Sequence, residues 1–262
     1  MDDIAQFHFD FKKPIVCTAI HNGNFVSSEI EKNLGISFSE RLREEDAYTE
    51  FFTENCGNRI IGKLSRFEVD FNRDREQAIY MNPEDAWGLK VRKKPLSKEL
   101  QTACLEKYDC FYRQTEKYFS QLLTKHPRIF VFDIHSYNHH RKGPDADYDN
   151  PELNPEIILG TKTLPDHCQQ LVKSIWNTIE KGNYFDKTLD VRCNVKFSGG
   201  YFSSWVNKKF PDKAYCLSIE FKKIFMNEWT GMLNIDKITR LRKIFEATFP
   251  VVIDLIGKQA FL

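Results

Sequence analysis

Ile129-Phe130-Val131-Phe132-Asp133-Ile134-His135-Ser136-Tyr137 is the stretch whose reading decides the fold. Its first half is β-branched or aromatic and is bounded upstream by His126-Pro127, which predicts a strand buried on both faces. The run then turns polar at Asp133, His135 and Ser136 and passes into the turn-rich Asn138-His139-His140-Arg141-Lys142-Gly143-Pro144. A buried strand that finishes this way delivers an acid and a histidine to the carboxyl edge of a sheet, where open α/β sheets bind ligands. Asp133, two residues before His135, can fix the imidazole tautomer, as a carboxylate commonly does for a metal-binding histidine. A histidine that merely caps a strand is the plainer alternative, and the rest of the chain has to separate the two.

A second apolar run, Pro14 to Ile20, ends in His21-Asn22-Gly23-Asn24, so two predicted strands finish in a histidine. Residues 39–55 read as a helix with Glu44-Glu45-Asp46 in its opening turn. Such acids serve either as dipole partners and caps or as ligands pointing back at a cation above the sheet. Arg66, Glu68, Asp70 and Asn72 alternate with Phe67, Val69 and Phe71 at strand period, an unusual polar load for a solvated face. Residues 97–124 form a long amphipathic helix with a packing stripe of Leu100, Cys104, Tyr108, Phe111, Tyr112, Phe119, Leu122 and Leu123. The Asp-, Asn- and Pro-rich residues 138–157 predict a long functional loop. Beyond it come a short strand at Ile157–Gly160, a helix from Asp166 to Lys181, and the glycine loop Ser198-Gly199-Gly200-Tyr201. A buried strand then ends at Glu220, and a C-terminal helix from Ile235 to Ile256 is interrupted at Pro250.

The 262 residues, 41% hydrophobic and 29% charged, suit a globular α/β domain, and one domain over 1–262 is the simplest division. Lys+Arg 38 against Asp+Glu 37 leaves a net charge of +1, without the basic excess of a dedicated nucleic-acid binder. Seven cysteines with no C-x-x-C suggest a reduced, cytoplasmic chain rather than a disulfide framework or a thiolate zinc site. Neither a signal peptide nor a membrane span is expected, and there is no G-x-S-x-G to frame a serine nucleophile.

Strand ends thus supply His21, His135 and Glu220, and the predicted helix start supplies Asp46 or a neighbour. Two histidines and a carboxylate with an open position is the pattern of a catalytic zinc site. A further carboxylate can shuttle a proton between water and leaving amine, and an arginine can hold the oxyanion. The succession His21-Asn22-Gly23, Glu44-Glu45-Asp46, Ser65-Arg66 with Asp70-Phe71-Asn72-Arg73, Asp133-Ile134-His135-Ser136, Phe197-Ser198-Gly199-Gly200-Tyr201 and Ser218-Ile219-Glu220 resembles the N-formylglutamate amidohydrolase family, zinc-carboxypeptidase-like enzymes related to aspartoacylase.

The resemblance spans about residues 14 to 230 and implies a three-layer α/β/α fold around a mixed, mostly parallel sheet. It implies one Zn2+ held by His21, His135 and an acid, taken as Asp46 from among Glu44, Glu45 and Asp46, with Glu220 as general base and acid. Arg66 would polarise the scissile carbonyl, and Asn72 and Arg73 would bind the substrate carboxylate. Tyr201, on a glycine hinge, reads either as an aromatic lid over the substrate or as core or rim packing. The glycine loop departs from the family's usual Thr-Arg continuation; Lys208 and Lys209 are near enough in sequence to stand in, with a solvated surface as the commoner place of a lysine pair. His139, His140, Arg141 and Lys142 read as a solvated loop, with the mouth of the site as their alternative place. The expected reaction is cleavage of N-formylglutamate, a small acidic N-acyl amino acid, by a monomer or small homo-oligomer that binds neither nucleic acid nor membrane. A carboxypeptidase or deacylase on the same scaffold, or a non-catalytic metal-binding module, are the alternatives.

Overall fold

The computed structural model describes residues 4–258. Its strands are β1 (Ala5–Phe9), β2 (Ile15–Ala19), β3 (Asn58–Gly62), β4 (Ile129–Tyr137), β5 (Ile157–Gly160), β6 (Val191–Cys193) and β7 (Ala214–Lys222). Among the described residues they form one sheet in the order β1-β3-β2-β4-β7-β5-β6. β1 runs antiparallel to β3, and β5 runs antiparallel to β7; the other neighbours are parallel. The sheet is therefore mixed and mostly parallel, as expected.

The helices are α1 (Ser28–Asn33), α2 (Phe38–Glu44), α3 (Lys98–Leu123), α4 (Gln169–Glu180), α5 (Tyr201–Lys209), α6 (Ile235–Glu246) and α7 (Thr248–Lys258). They cover both faces of the sheet. Val16, Val131 and Cys216 pack with Phe111 of α3 and Phe202 of α5 on one face. Their sequence neighbours Cys17, Phe132 and Leu217 pack with Leu171 of α4 and Phe245 of α6 on the other. This period-2 sorting into two cores is why the central strands read as continuous apolar runs. Every residue of β4 is buried, and burying a side chain the size of Phe132 contributes roughly 1.5–3 kcal/mol. The chain thus forms the three-layer α/β/α arrangement.

Helix α3 begins where Ser97 Oγ accepts the Leu100 N–H and buries most of the predicted stripe. Leu100 and Leu123 are only half-buried. Other segments differ from the sequence reading. Residues 66–74 form turns instead of a strand: Phe67, Val69 and Phe71 enter the core, while Glu68 and Asp70 are also fully buried. The helix expected over 39–55 ends at Glu44, and Thr49–Thr53 is a separate 3-10 turn. The three acids therefore lie at the carboxyl end of α2, where the helix dipole disfavours them. Strands β1, β3 and β6 have no counterpart in the sequence reading. The C-terminal helical region breaks at Ala247, and Pro250 sits in the first turn of α7, where its missing N–H costs nothing.

Candidate active site

Close backbone approach fixes the turn after β2. A Cβ on Gly62 would lie 2.2 Å from the Ile20 carbonyl oxygen, and one on Gly23 would lie 2.2 Å from the Lys63 backbone. Only glycine fits where the His21 turn presses on the end of β3. The His21 carbonyl then accepts the Asp46 N–H at 3.1 Å, which lays the segment following α2 across the sheet edge.

His21, Asp46 and His135 meet there, all buried, with candidate ligand atoms within 4.8 Å of one another. Asp46 Oδ2 is 2.9 Å from His135 Nδ1 and 3.5 Å from His21 Nδ1. The two rings are 4.9 Å apart at 59°. Each imidazole is held from behind by a carboxylate. His21 Nε2 lies 2.6 Å from Asp70 Oδ1, and His135 Nε2 lies 3.1 Å from Asp133 Oδ2. Both Nδ1 atoms consequently face Asp46, and the buried His21 Nδ1 makes no hydrogen bond. Two inward nitrogens, one of them without a hydrogen bond, and one carboxylate fit a divalent metal of zinc's nitrogen- and oxygen-binding type.

The electrostatics follow from this crowding. Burial alone would raise the Asp46 carboxyl, but the hydrogen bond from His135 and the close approach of the His21 imidazole outweigh it and hold Asp46 well below the usual range. Burial disfavours a charged His135, yet Asp133, Asp46 and Glu220 together keep it protonated well above its ordinary value. Asp70 is likewise held low against the burial penalty by His21 and Arg66. Glu220 is half-buried; burial first, then the nearby Asp46 and Asp133, push its carboxyl up to about 8 against the pull of His135.

The β4/β7 register pairs His135 with Glu220 and Asp133 with Ser218, so all four side chains share one face. Asp133 accepts hydrogen bonds from Thr18 Oγ1 (3.1 Å) and Ser218 Oγ (3.2 Å).

Arg66 is tied down by Tyr80 Oη (3.2 Å), Asp70 Oδ2 (3.1 Å) and the Glu44 carbonyl (3.4 Å), and lies over the Trp87 ring. The Tyr80 hydroxyl donates a short hydrogen bond to Asp70. Asn72 Oδ1 accepts the Phe202 N–H at 2.9 Å, while its Nδ2 lies 3.4 Å from His135 Nε2. A Cβ on Gly200 would fall 2.3 Å from this amide, so the glycine loop is shaped around Asn72. Arg73 is 39% exposed. Tyr201 heads α5 and packs edge-on against Tyr112, a place on the rim at the start of a helix.

The acid trio separates cleanly. Glu44 pairs with Arg141 through two hydrogen bonds, at 3.1 and 3.0 Å. Glu45 accepts from Ser65 Oγ at 2.5 Å, and Asp46 alone reaches the histidines. All eight residues expected at the site, His21, Asp46, Arg66, Asn72, Arg73, His135, Tyr201 and Glu220, line one cavity of about 500 Å3. Arg141 lines it too, contrary to its reading as part of a solvated loop. The only hint in the sequence was a basic cluster directly after the His135 strand. Lys208 and Lys209 stand exposed on α5, with Lys209 pairing 2.8 Å from Glu116. Neither lines the cavity.

A buried histidine–aspartate–histidine group beside a carboxylate with a raised pKa, on an α/β/α sheet edge, is equipment for hydrolysis. The N-formylglutamate amidohydrolase family model matches residues 13–226, and the chain belongs to that family of amide-bond hydrolases. Among solved structures, N-formylglutamate amidohydrolase from Ralstonia eutropha JMP134 is similar over 98% of this chain and 99% of that one, at TM-score 0.77 and 14% identity. A gene product of Agrobacterium tumefaciens is similar over 98% of this chain and 94% of that one, at TM-score 0.60 and 17% identity. At these identities the likeness is one of fold. A comparison with curated proteins finds no match. No helix among the described residues is long and apolar enough to cross a membrane.

Proposed function

We propose that this chain is a zinc-dependent hydrolase of an N-acylated acidic amino acid, cleaving N-formylglutamate to formate and glutamate. One observation carries the reading: His21 Nδ1, His135 Nδ1 and Asp46 converge at the sheet edge, with Glu220 on the strand beside His135. A zinc ion held by these three residues would acidify water to a pKa of about 7 and polarise a carbonyl. Glu220 would accept the proton of the attacking water and return it to the departing amine nitrogen; a carboxyl that desolvation makes easy to protonate suits both steps. Arg66, already locked by Tyr80, Asp70 and Glu44, would donate to the oxyanion without reorganising. Asn72 Nδ2 and the exposed guanidinium of Arg73 would hold the substrate's α-carboxylate, with Tyr201 at the rim.

The test is metal analysis of the purified protein together with formate release from a panel of N-formyl amino acids and short peptides. Bound zinc and preferred turnover of N-formylglutamate are expected. Glu220→Gln should retain the zinc and lose about 10²- to 10⁴-fold in kcat. Normal turnover in that variant would remove the assigned base, full activity without metal would remove the zinc role, and faster cleavage of a peptide would favour a carboxypeptidase or deacylase.

A further inference from the structure

The cavity is lined by three arginines among the described residues: Arg66, Arg73 and Arg141. They are not equally available. Arg66 is 12% exposed and gives hydrogen bonds to Tyr80, Asp70 and the Glu44 carbonyl. Arg73 is the cation assigned to one carboxylate of the substrate. Arg141 is 37% exposed and reaches the cavity from the loop that follows β4.

Its setting is that of a prepared anion receptor. The nearly buried Glu44 engages Nη1 and Nη2, one oxygen each. That end-on pair uses two of the five guanidinium N–H donors. The side-on fork of Nε and Nη2 has no partner among the described residues, and that fork matches a second carboxylate in bidentate geometry. Glu44 thereby immobilises a loop side chain before any ligand arrives, which lowers the ordering cost of binding. The cavity also contains Asp74 and Glu220, so a substrate with two negative charges needs a donor beyond Arg73.

We infer that Arg141, held by Glu44, is the specificity-determining residue that binds the second carboxylate of a dicarboxylic substrate. The inference rests on the proposed acyl-amino-acid reading and names which end of that substrate it selects.

The experiment compares N-formylglutamate with its neutral isostere N-formylglutamine in the zinc-loaded wild type, Arg141→Met and Arg141→Lys. Arg141→Met should lower the ratio of kcat/KM values, glutamate over glutamine, by about tenfold or more, chiefly through KM. Arg141→Lys should recover only part of it, because lysine keeps the charge without the fork. An unchanged ratio in Arg141→Met would overturn the assignment, and full recovery by lysine would overturn the bidentate contact. Calorimetric binding of glutarate and of butyrate carries the same test without turnover. Arg141→Met should weaken glutarate by about tenfold and butyrate by less than about threefold; equal losses would overturn the assignment. A wild type that hydrolyses neither amide yet shows this glutarate discrimination would defeat the hydrolase reading and leave the carboxylate receptor standing.

Discussion

Single side chains divide the work at this site, and some do it without facing the cavity. Asp133 is fully buried and serves His135, Thr18 and Ser218 at once. Replacing it with Asn removes the charge that steadies the imidazole, so Asp133→Asn should bind zinc about 10- to 100-fold more weakly in a chelator competition. Unchanged affinity would mean that His135 needs no such support. Gly200→Ala would drive a methyl into Asn72. It should raise KM for N-formylglutamate several-fold with a smaller change in kcat; equal KM would show that Asn72 does not grip the substrate. At this scale the sequence was partly legible. His21, His135 and Glu220 could be read because each ends a buried apolar run. Asp46 could not be told from Glu44 and Glu45, since three adjacent acids offer no local pattern and the side chains that hydrogen-bond to them lie 20 to 97 residues away. Arg141 was read as solvated, with the mouth of the site only as its alternative place, because a loop has no periodicity to betray where its side chains go.

The elements were more legible where they are long. Strands β2, β4 and β7 and helix α3 follow from apolar runs or helical periodicity. The edge strand β1 and the three-residue β6 carry too little pattern, and the turns over 66–74 imitate strand alternation while burying both residue classes. Helix α2 shows what a misplaced boundary hides. Its carboxyl end is closed by Lys223, a buried lysine whose Nζ donates to the Arg43 carbonyl (2.5 Å) and the Glu45 carbonyl (2.8 Å), one residue short of Asp46. Burial pushes this ammonium's pKa down. Lys223→Met would leave two carbonyls unpaired, and it should cost roughly 1–3 kcal/mol in urea unfolding. It should also loosen zinc binding, because the peptide carrying Asp46 loses its anchor. A zinc titration that matches wild type would confine Lys223 to helix stability.

The molecule as a whole should show opposing pH dependences. Glu220 titrates at about 8 in the fold and near 4.3 when unfolded. The folded state therefore prefers the proton, and this stabilising contribution is present below about 4.3 and lost as pH rises to about 8. Asp46 and Asp70 are depressed, so their contribution is present above about 3.9 and lost as pH falls. Chelator-treated protein should lose Tm as pH is raised from about 5 to about 8.5, and Glu220→Gln should flatten that slope. An identical slope in both proteins would place the titrating group elsewhere.

The pairing of β4 with β7 runs unbroken from Ile129↔Ala214 to Tyr137↔Lys222, with His135 and Glu220 on one rung. Deleting a residue from β7 ahead of that rung would turn the carboxylate toward the opposite layer, along with every apolar neighbour on its strand. Side chains mounted this way tolerate no gradual adjustment. Any drift toward new substrates would have to be written in the connecting segments, such as residues 138–150, where insertions leave the ladder undisturbed.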